Sequence, residues 1–249
     1  MVQDGFQKAM LNLGTRSVEK EFMDAHDFAG DELAESFSFI RLINRFGGGQ
    51  KAVLSGLSIA LKGWPAAEPV EILDVGCGIG DIGTAILRWG NARGLKLRYL
   101  GLERSENTLA LARKRSDGRN IRFILGDLFD ENLPKADLII ASMVLHHLDD
   151  EDVVRAIAHL AGRSRKALII NELERSWMAY ALCSIMTIFL RHPASRSDAL
   201  LSVRKGFTLP ELRSFFNRAG VTGTARAALG WRLMAVVPPP DSPGKPLKL

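Results

Sequence analysis

The sequence predicts an α/β protein: a mostly parallel sheet of seven strands with helices on both faces, preceded by an N-terminal helical cap. Three observations lead there. Five short apolar runs, VEILDVG, LRYLGLE, IRFILGD, ADLIIAS and KALIINE, recur between residues 70 and 172. They read as buried parallel strands, because helices that cover both faces of a sheet leave little room for polar alternation. Amphipathic segments separate the runs, and a glycine-rich turn follows the first of them directly.

Taken in order, the chain starts with MVQDGFQKAM, which lacks the basic and then apolar pattern of a signal peptide. Residues 1–65 form the expected cap. In DELAESFSFIRLINRF, Leu33, Phe37, Ile40 and Ile43 recur at helical spacing, and Gly47, Gly48 and Gly49 stop the helix. Lys51 to Lys62 reads as a second, shorter helix ending at GWP. The core is expected over 66–237, with an insertion at about 173–207 that begins with WMAYALCSIMTIFL, residues 177–190. That run is too short for a bilayer, which needs about 20 apolar residues. As a helix it places Trp177, Tyr180, Cys183 or Ser184, and Thr187 near one face and Met178, Leu182, Ile185 and Phe189 on another. Neither face is strongly polar, which predicts burial on two sides: protein on one, and substrate or a partner subunit on the other. A polar loop is expected around HPASRSD, then a helix from Leu209 to Ala219 that Thr208 and Glu211 can close with a capping box. Candidate strands at Val221 to Arg226 and Trp231 to Val237 complete the sheet, and residues 238–249 read as a disordered tail.

Composition narrows the function classes. The 249 residues are 47% hydrophobic and 24% charged, as in ordinary globular proteins. Lys and Arg number 33 against 28 Asp and Glu, but the resulting +5 is scattered, without a basic tract, so nucleic acid is not an expected partner. Cys77 and Cys183 lie far apart with no zinc-ligand spacing. Reduced thiols in a cytoplasmic protein, with no metal, are the simplest expectation.

The densest chemical signal is EILDVGCGIGDIG, residues 71–83. A strand ending at Val75, glycines at 76, 78 and 80, and a helix starting near Asp81 present backbone N–H groups to a ligand at a helix N-terminus. Cys77 reads as a small residue filling that turn. Gly78, Gly80 and Gly83 also satisfy the dinucleotide fingerprint, with Glu103 as its ribose acid, so a nicotinamide or flavin enzyme is an alternative. Asp74 and Glu103 could instead cap helices or pair with basic neighbours, and the Gly126–Asp127 pair could simply start a turn.

The fuller pattern D-x-G-x-G-x-G, led by Asp74, together with YLGLE, ILGD and MVLHHLDD, resembles the class I S-adenosylmethionine-dependent methyltransferases over about residues 70–172. The resemblance implies a Rossmann-like methyltransferase fold with S-adenosylmethionine as cofactor. Asp74, Gly76, Cys77, Gly78 and Gly80 would meet its methionine end. Glu103, with Arg104 beside it, would take the ribose hydroxyls. Gly126, Asp127 and the backbone of Leu128 would meet the adenine, and Ala141 and Ser142 would end the fourth strand beside it. His146 and His147 follow that strand, where such sheets bind ligands. One of the two is expected to point inward, His147 being favoured, either as a base for the acceptor or as a packed structural residue.

INRFGGG and LLSVRKGFTLPELRSFFNRAG further resemble bacterial ubiquinone- and menaquinone-type enzymes and their phenolic-lipid and polyketide relatives. That implies O-methylation of an apolar small molecule, with Asn44, Arg45, Asn171, Trp177, Tyr180 and Arg204 as acceptor contacts and Glu172 on the pocket rim. N- or carboxylate methylation, with Arg204 and Lys205 anchoring an acid, is the alternative. So is a regulatory protein that binds the cofactor without turnover. Peripheral membrane contact and a homodimer are further expectations.

Overall fold

The computed structural model describes residues 13–25, 28–115 and 121–240. His26 and the last nine residues of the expected tail, 241–249, lie outside them. A 3-10 turn, Phe22–Asp24, leads into α1 (Gly30–Phe46) and α2 (Gly49–Ala60). Then follow β1 (Val70–Val75), α3 (Asp81–Asn91), β2 (Leu97–Glu103), α4 (Glu106–Arg115), β3 (Ile121–Leu125) and β4 (Ala136–Ser142). A second 3-10 turn, Leu145–His147, precedes α5 (Asp150–Arg163), β5 (Ser164–Leu173), α6 (Trp177–Thr187) and α7 (Pro193–Lys205). Last come α8 (Leu209–Arg218), β6 (Thr224–Ala228) and β7 (Arg232–Val237).

The seven strands run in the order β3-β2-β1-β4-β5-β7-β6. The first five are mutually parallel, and β7 is antiparallel to both β5 and β6. Because β2 and β4 flank β1, the winding direction reverses at β1, and the crevice for a ligand opens beyond its carboxyl end. Side chains alternate across the sheet, so Ile139 and Ala141 pack with Val153, Ile157 and Phe215 of α5 and α8. Leu138 and Ile140 face the other way, onto Val53 and Leu57 of α2 and Ile86 of α3. The stretch expected as a cap therefore divides: α2 belongs to the helical layer on the sheet, while α1 and residues 13–25 lie over the crevice.

Two local expectations are corrected. HPASRSD is not a loop: Pro193 opens α7 at a position where its missing N–H costs nothing. Its polar residues look loop-like only in isolation, since Asp198 accepts the backbone N–H groups of Phe22 and Met23 and the Ser195 and Ser36 hydroxyls meet at 2.9 Å. The sixth strand starts at Thr224 rather than Val221, whose side chain is instead buried in the core. The capping box at Thr208 and Glu211 forms as expected.

α6 is capped by Ser176, whose hydroxyl accepts the Ala179 N–H. Ala179, Tyr180 and Cys183 pack against Leu173, Val203 and Trp231. Met178, Leu182 and Ile185, with Ile188 and Phe189 beyond the helix, are exposed. No helix among the described residues is long and apolar enough to cross a membrane.

Candidate active site

At the end of β1 the chain turns through Gly76, Gly78 and Gly80 with φ of 63°, 53° and 75°. L side chains rarely adopt this conformation. At Gly78 a Cβ would also come within 2.8 Å of the Phe37 ring, so the glycine lets α1 close over the turn. Around the turn stand acids from successive elements. Asp74 is buried; Tyr99 donates to its Oδ2, while Oδ1 has no partner. Burial pushes this carboxyl up to about 7, against the opposing pull of the Tyr99 hydrogen bond. Asp81, raised by burial as well, accepts from Asn44 Nδ2 at 3.1 Å. Glu103 accepts the Gly78 N–H at 3.1 Å and the Ser105 N–H at 2.9 Å, which fixes its carboxylate against the turn.

These groups line a cavity together with Gly76, Cys77, Arg104, Gly126, Asp127, Leu128 and Ser142. The turn-starting role foreseen for Asp127 is present too, since its Oδ1 accepts the Phe129 N–H at 2.8 Å. Arg104 reaches across to pair with Asp24 at 2.8 Å. The Cys77 thiol is raised far above its ordinary value by burial and packs against Gly101, which makes it a filler. Two expected cofactor contacts lie off this cavity. Gly80 is the N-cap of α3 and faces Phe123, and the Ala141 side chain belongs to the core.

Both histidines line this cavity, against the expectation that one would turn away. The tight 3-10 turn after β4 brings the rings together, with centroids 4.2 Å apart. Fully buried Glu172 accepts His146 Nδ1 at 2.7 Å and the N–H groups of Val144 and Leu145. Burial alone would raise Glu172, but His146 and these donors hold it below the usual carboxylate range. It therefore stays ionised and fixes Nδ1 of His146 as the donor. His147 Nδ1 lies 3.0 Å from Asp24, which burial alone would raise but His147, Lys205 and Arg104 hold far below its ordinary value. Buried Glu21 sits 3.8 Å from His146 Nε2 and 3.9 Å from His147 Nδ1, raised by burial. Ligand-type atoms of Glu21, His146 and His147 fall within 4.8 Å of one another, and the Lys205 ammonium, 3.8 Å from Glu21, is the cation serving that cluster.

A second cavity lies between α1, α6 and α7, lined by Ile40, Ile43, Leu173, Leu182 and Met186 and by Arg232. Met23, Ile40, Met143 and Ser202 belong to both walls, so the two cavities adjoin.

The expected acceptor contacts fare unevenly. Asn44 lies in the first cavity. Asn171 is fully buried and donates to Ser142 Oγ at 2.8 Å, and neither it nor Glu172 forms a rim. The reason is that β5 continues to Leu173 and is paired by β7 along its far side. Trp177 is exposed in the first turn of α6, edge-on to Tyr180, and neither ring lines a cavity wall. Arg204 is held by Glu19 at 2.8 Å, and exposed Arg45 stacks over Phe46. Glu21, Asp24 and Arg232 were not singled out from the sequence; they carry no local motif, and the fold alone brings them to the site. Met143 opens the MVLHHLDD motif but was given no role there.

A sheet of this order, with a glycine turn after β1 and acids at the ends of β1 and β2, is the Rossmann-like methyltransferase fold. Residues 72–166, from β1 into β5, match the family model described as a methyltransferase domain. Among solved structures, human N-acetylserotonin methyltransferase in complex with SAM is similar, at 16% identity and a TM-score of 0.66, over 94% of this chain and 65% of that one. An O-methyltransferase family 2 protein from Planctomyces limnophilus DSM 3776, in complex with apigenin, is similar at 20% identity and a TM-score of 0.60, over 86% and 63%. The plantazolicin methyltransferase BamL, in complex with a triazolic desmethylPZN analog and SAH, is similar at 15% identity and a TM-score of 0.61, over 85% and 97%. No curated protein sequence matches the chain.

Proposed function

We propose that this protein is a methyltransferase that transfers the methyl group of S-adenosylmethionine to a hydroxyl oxygen of an apolar small molecule, such as a phenol, quinol or polyketide-like lipid. The observation that carries the reading is the shared wall at Met23, Ile40, Met143 and Ser202, where a cavity ringed by acids adjoins an apolar one. The first suits the cofactor. Asp74 Oδ1, buried and unpartnered, suits an ammonium; Glu103 suits a diol; Asp127 and the Leu128 backbone suit an aminopurine edge. The second suits an acceptor with a hydrophobic body. The neighbour crystallised with apigenin, an O-methyltransferase by its description, supports oxygen as the acceptor atom.

The cofactor supplies a methyl group already activated by the sulfonium charge, so the protein's tasks are alignment, exclusion of water and removal of one proton. A phenol with a pKa of about 10 is only about one part in a thousand ionised at pH 7, so a base raises the reactive fraction. In this reading His147 does that work. Its Nδ1 is held by Asp24, which leaves Nε2 to take the hydroxyl proton and leaves Asp24 to stabilise the resulting imidazolium. His146, clamped by Glu172 and 1% exposed, is a positioning residue for the turn.

Label transfer from S-adenosylmethionine to a panel of hydrophobic phenols tests this reading. His147→Ala should lower turnover about 100-fold or more while SAH affinity stays within about twofold. Unchanged turnover and pH profile would leave His147 a packing residue.

A further inference from the structure

Arg232 opens β7 with no solvent exposure at all, and it is poorly matched by its surroundings. One terminal nitrogen donates to the thioether of Met143, a weak acceptor; the other reaches Asn44 Oδ1 at 3.4 Å; Nε has no partner. No carboxylate lies within ion-pair distance of it among the described residues. Arg175, almost as buried, shows what saturation looks like. Its guanidinium donates to both carboxylate oxygens of Glu211 and to the carbonyls of Leu13 and Gly206. The acids acting on Arg232 from a distance, Glu172 and Asp81, are engaged by His146, by Asn44 and by backbone N–H groups.

A buried cation without a counter-ion is strongly disfavoured, so its retention calls for an anion from outside the chain. The location says which. Arg232 lies in the wall of the apolar cavity, next to the junction with the cofactor cavity. The two residues bracketing it, Met143 at φ 61° and Trp231 at φ 54°, are the only non-glycine residues in the left-handed region among those described. Such strain marks positions whose geometry the surrounding structure enforces.

We propose that Arg232 anchors a carboxylate of the acceptor, so that the substrate is an apolar acid whose hydrocarbon body extends along α1 and α6. A carboxylate offers two oxygens to the guanidinium fork and displaces the Met143 thioether, a much poorer acceptor. The inference rests on the assignment of the two cavities to cofactor and acceptor. The other source of a carboxylate is the methionine end of the cofactor, and the experiment separates the two.

Calorimetric titration of the full chain with decanoate and with decanamide, each with and without saturating SAH, reads the preference for an acid directly. Wild type should bind the acid at least about tenfold more tightly than the amide. Arg232→Met, which replaces an uncompensated buried charge by an apolar chain of similar length, should fold with no loss of Tm and lose that preference with SAH affinity unchanged. Equal affinities for acid and amide in wild type, or binding of neither, overturn the proposal without any variant. So does a preference that survives in Arg232→Met, or a tenfold loss of SAH affinity in that variant, which assigns the guanidinium to the cofactor. Failure of wild type to bind SAH bears on the methyltransferase reading, and the acid preference measured without SAH is independent of it.

Discussion

Burial pushes the Asp74 carboxyl up to about 7, so in the free protein at pH 6 this group is mostly protonated. Its contribution to stability is therefore fully present below its ordinary value of 3.8 and is lost as pH rises through about 7. A ligand ammonium at Oδ1 reverses the balance by favouring the charged form. SAH affinity should accordingly rise with pH between about 5 and 7 and level off above, with proton release below 7, and Asp74→Asn should flatten that slope; calorimetry in buffers of different ionisation enthalpy measures both. Asp74, Glu103 and the glycine turn were legible in the sequence because each closes a strand whose apolar run announces it. Asp24, Glu21 and Arg232 were not. The first two precede a helix in an unremarkable polar stretch, and Arg232 sits in a strand-like run where an arginine normally faces water. Only tertiary packing makes them site residues.

The elements with clear periodicity stand close to where the sequence placed them, whereas HPASRSD was misread because its hydrogen-bond partners are distant in sequence. For α6, the expectation of two apolar faces is met in composition, yet its outer row stands in solvent in this chain. Ile185→Ser or Phe189→Ser should therefore shift the unfolding free energy by no more than about 0.5 kcal/mol, as surface changes do, whereas Met186→Asp, in the cavity wall, should cost well over 1 kcal/mol. The α1–α2 corner is the opposite case. Gly48 has φ 85°, and a Cβ there would lie 1.9 Å from the Leu229 carbonyl oxygen in the β6–β7 turn. Gly48→Ala should lower stability by about 2 kcal/mol or more, roughly 4–8 °C in Tm for a chain of this size. A thermal melt at the wild-type Tm would show that the corner yields instead.

At the scale of the whole molecule, the winding reversal at β1 and the antiparallel β7 place two cavities side by side, one ringed by acids and one apolar. The fold was legible because alternating strand and helix signals leave few topologies once right-handed crossovers are required. The acceptor side was less so: residues 13–25, α1, α6 and α7 build it jointly, and their contacts span more than a hundred residues of sequence. The cofactor cavity is the central claim, and the most direct test is titration of SAH into wild-type protein and Glu103→Ala. The structure leads us to expect one site per chain in wild type and a loss of about 10- to 100-fold on removal of the Glu103 carboxylate, the worth of one or two hydrogen bonds to a charged group. Absence of SAH binding, an affinity indifferent to Glu103, or tight binding of a nicotinamide dinucleotide in its place would contradict it.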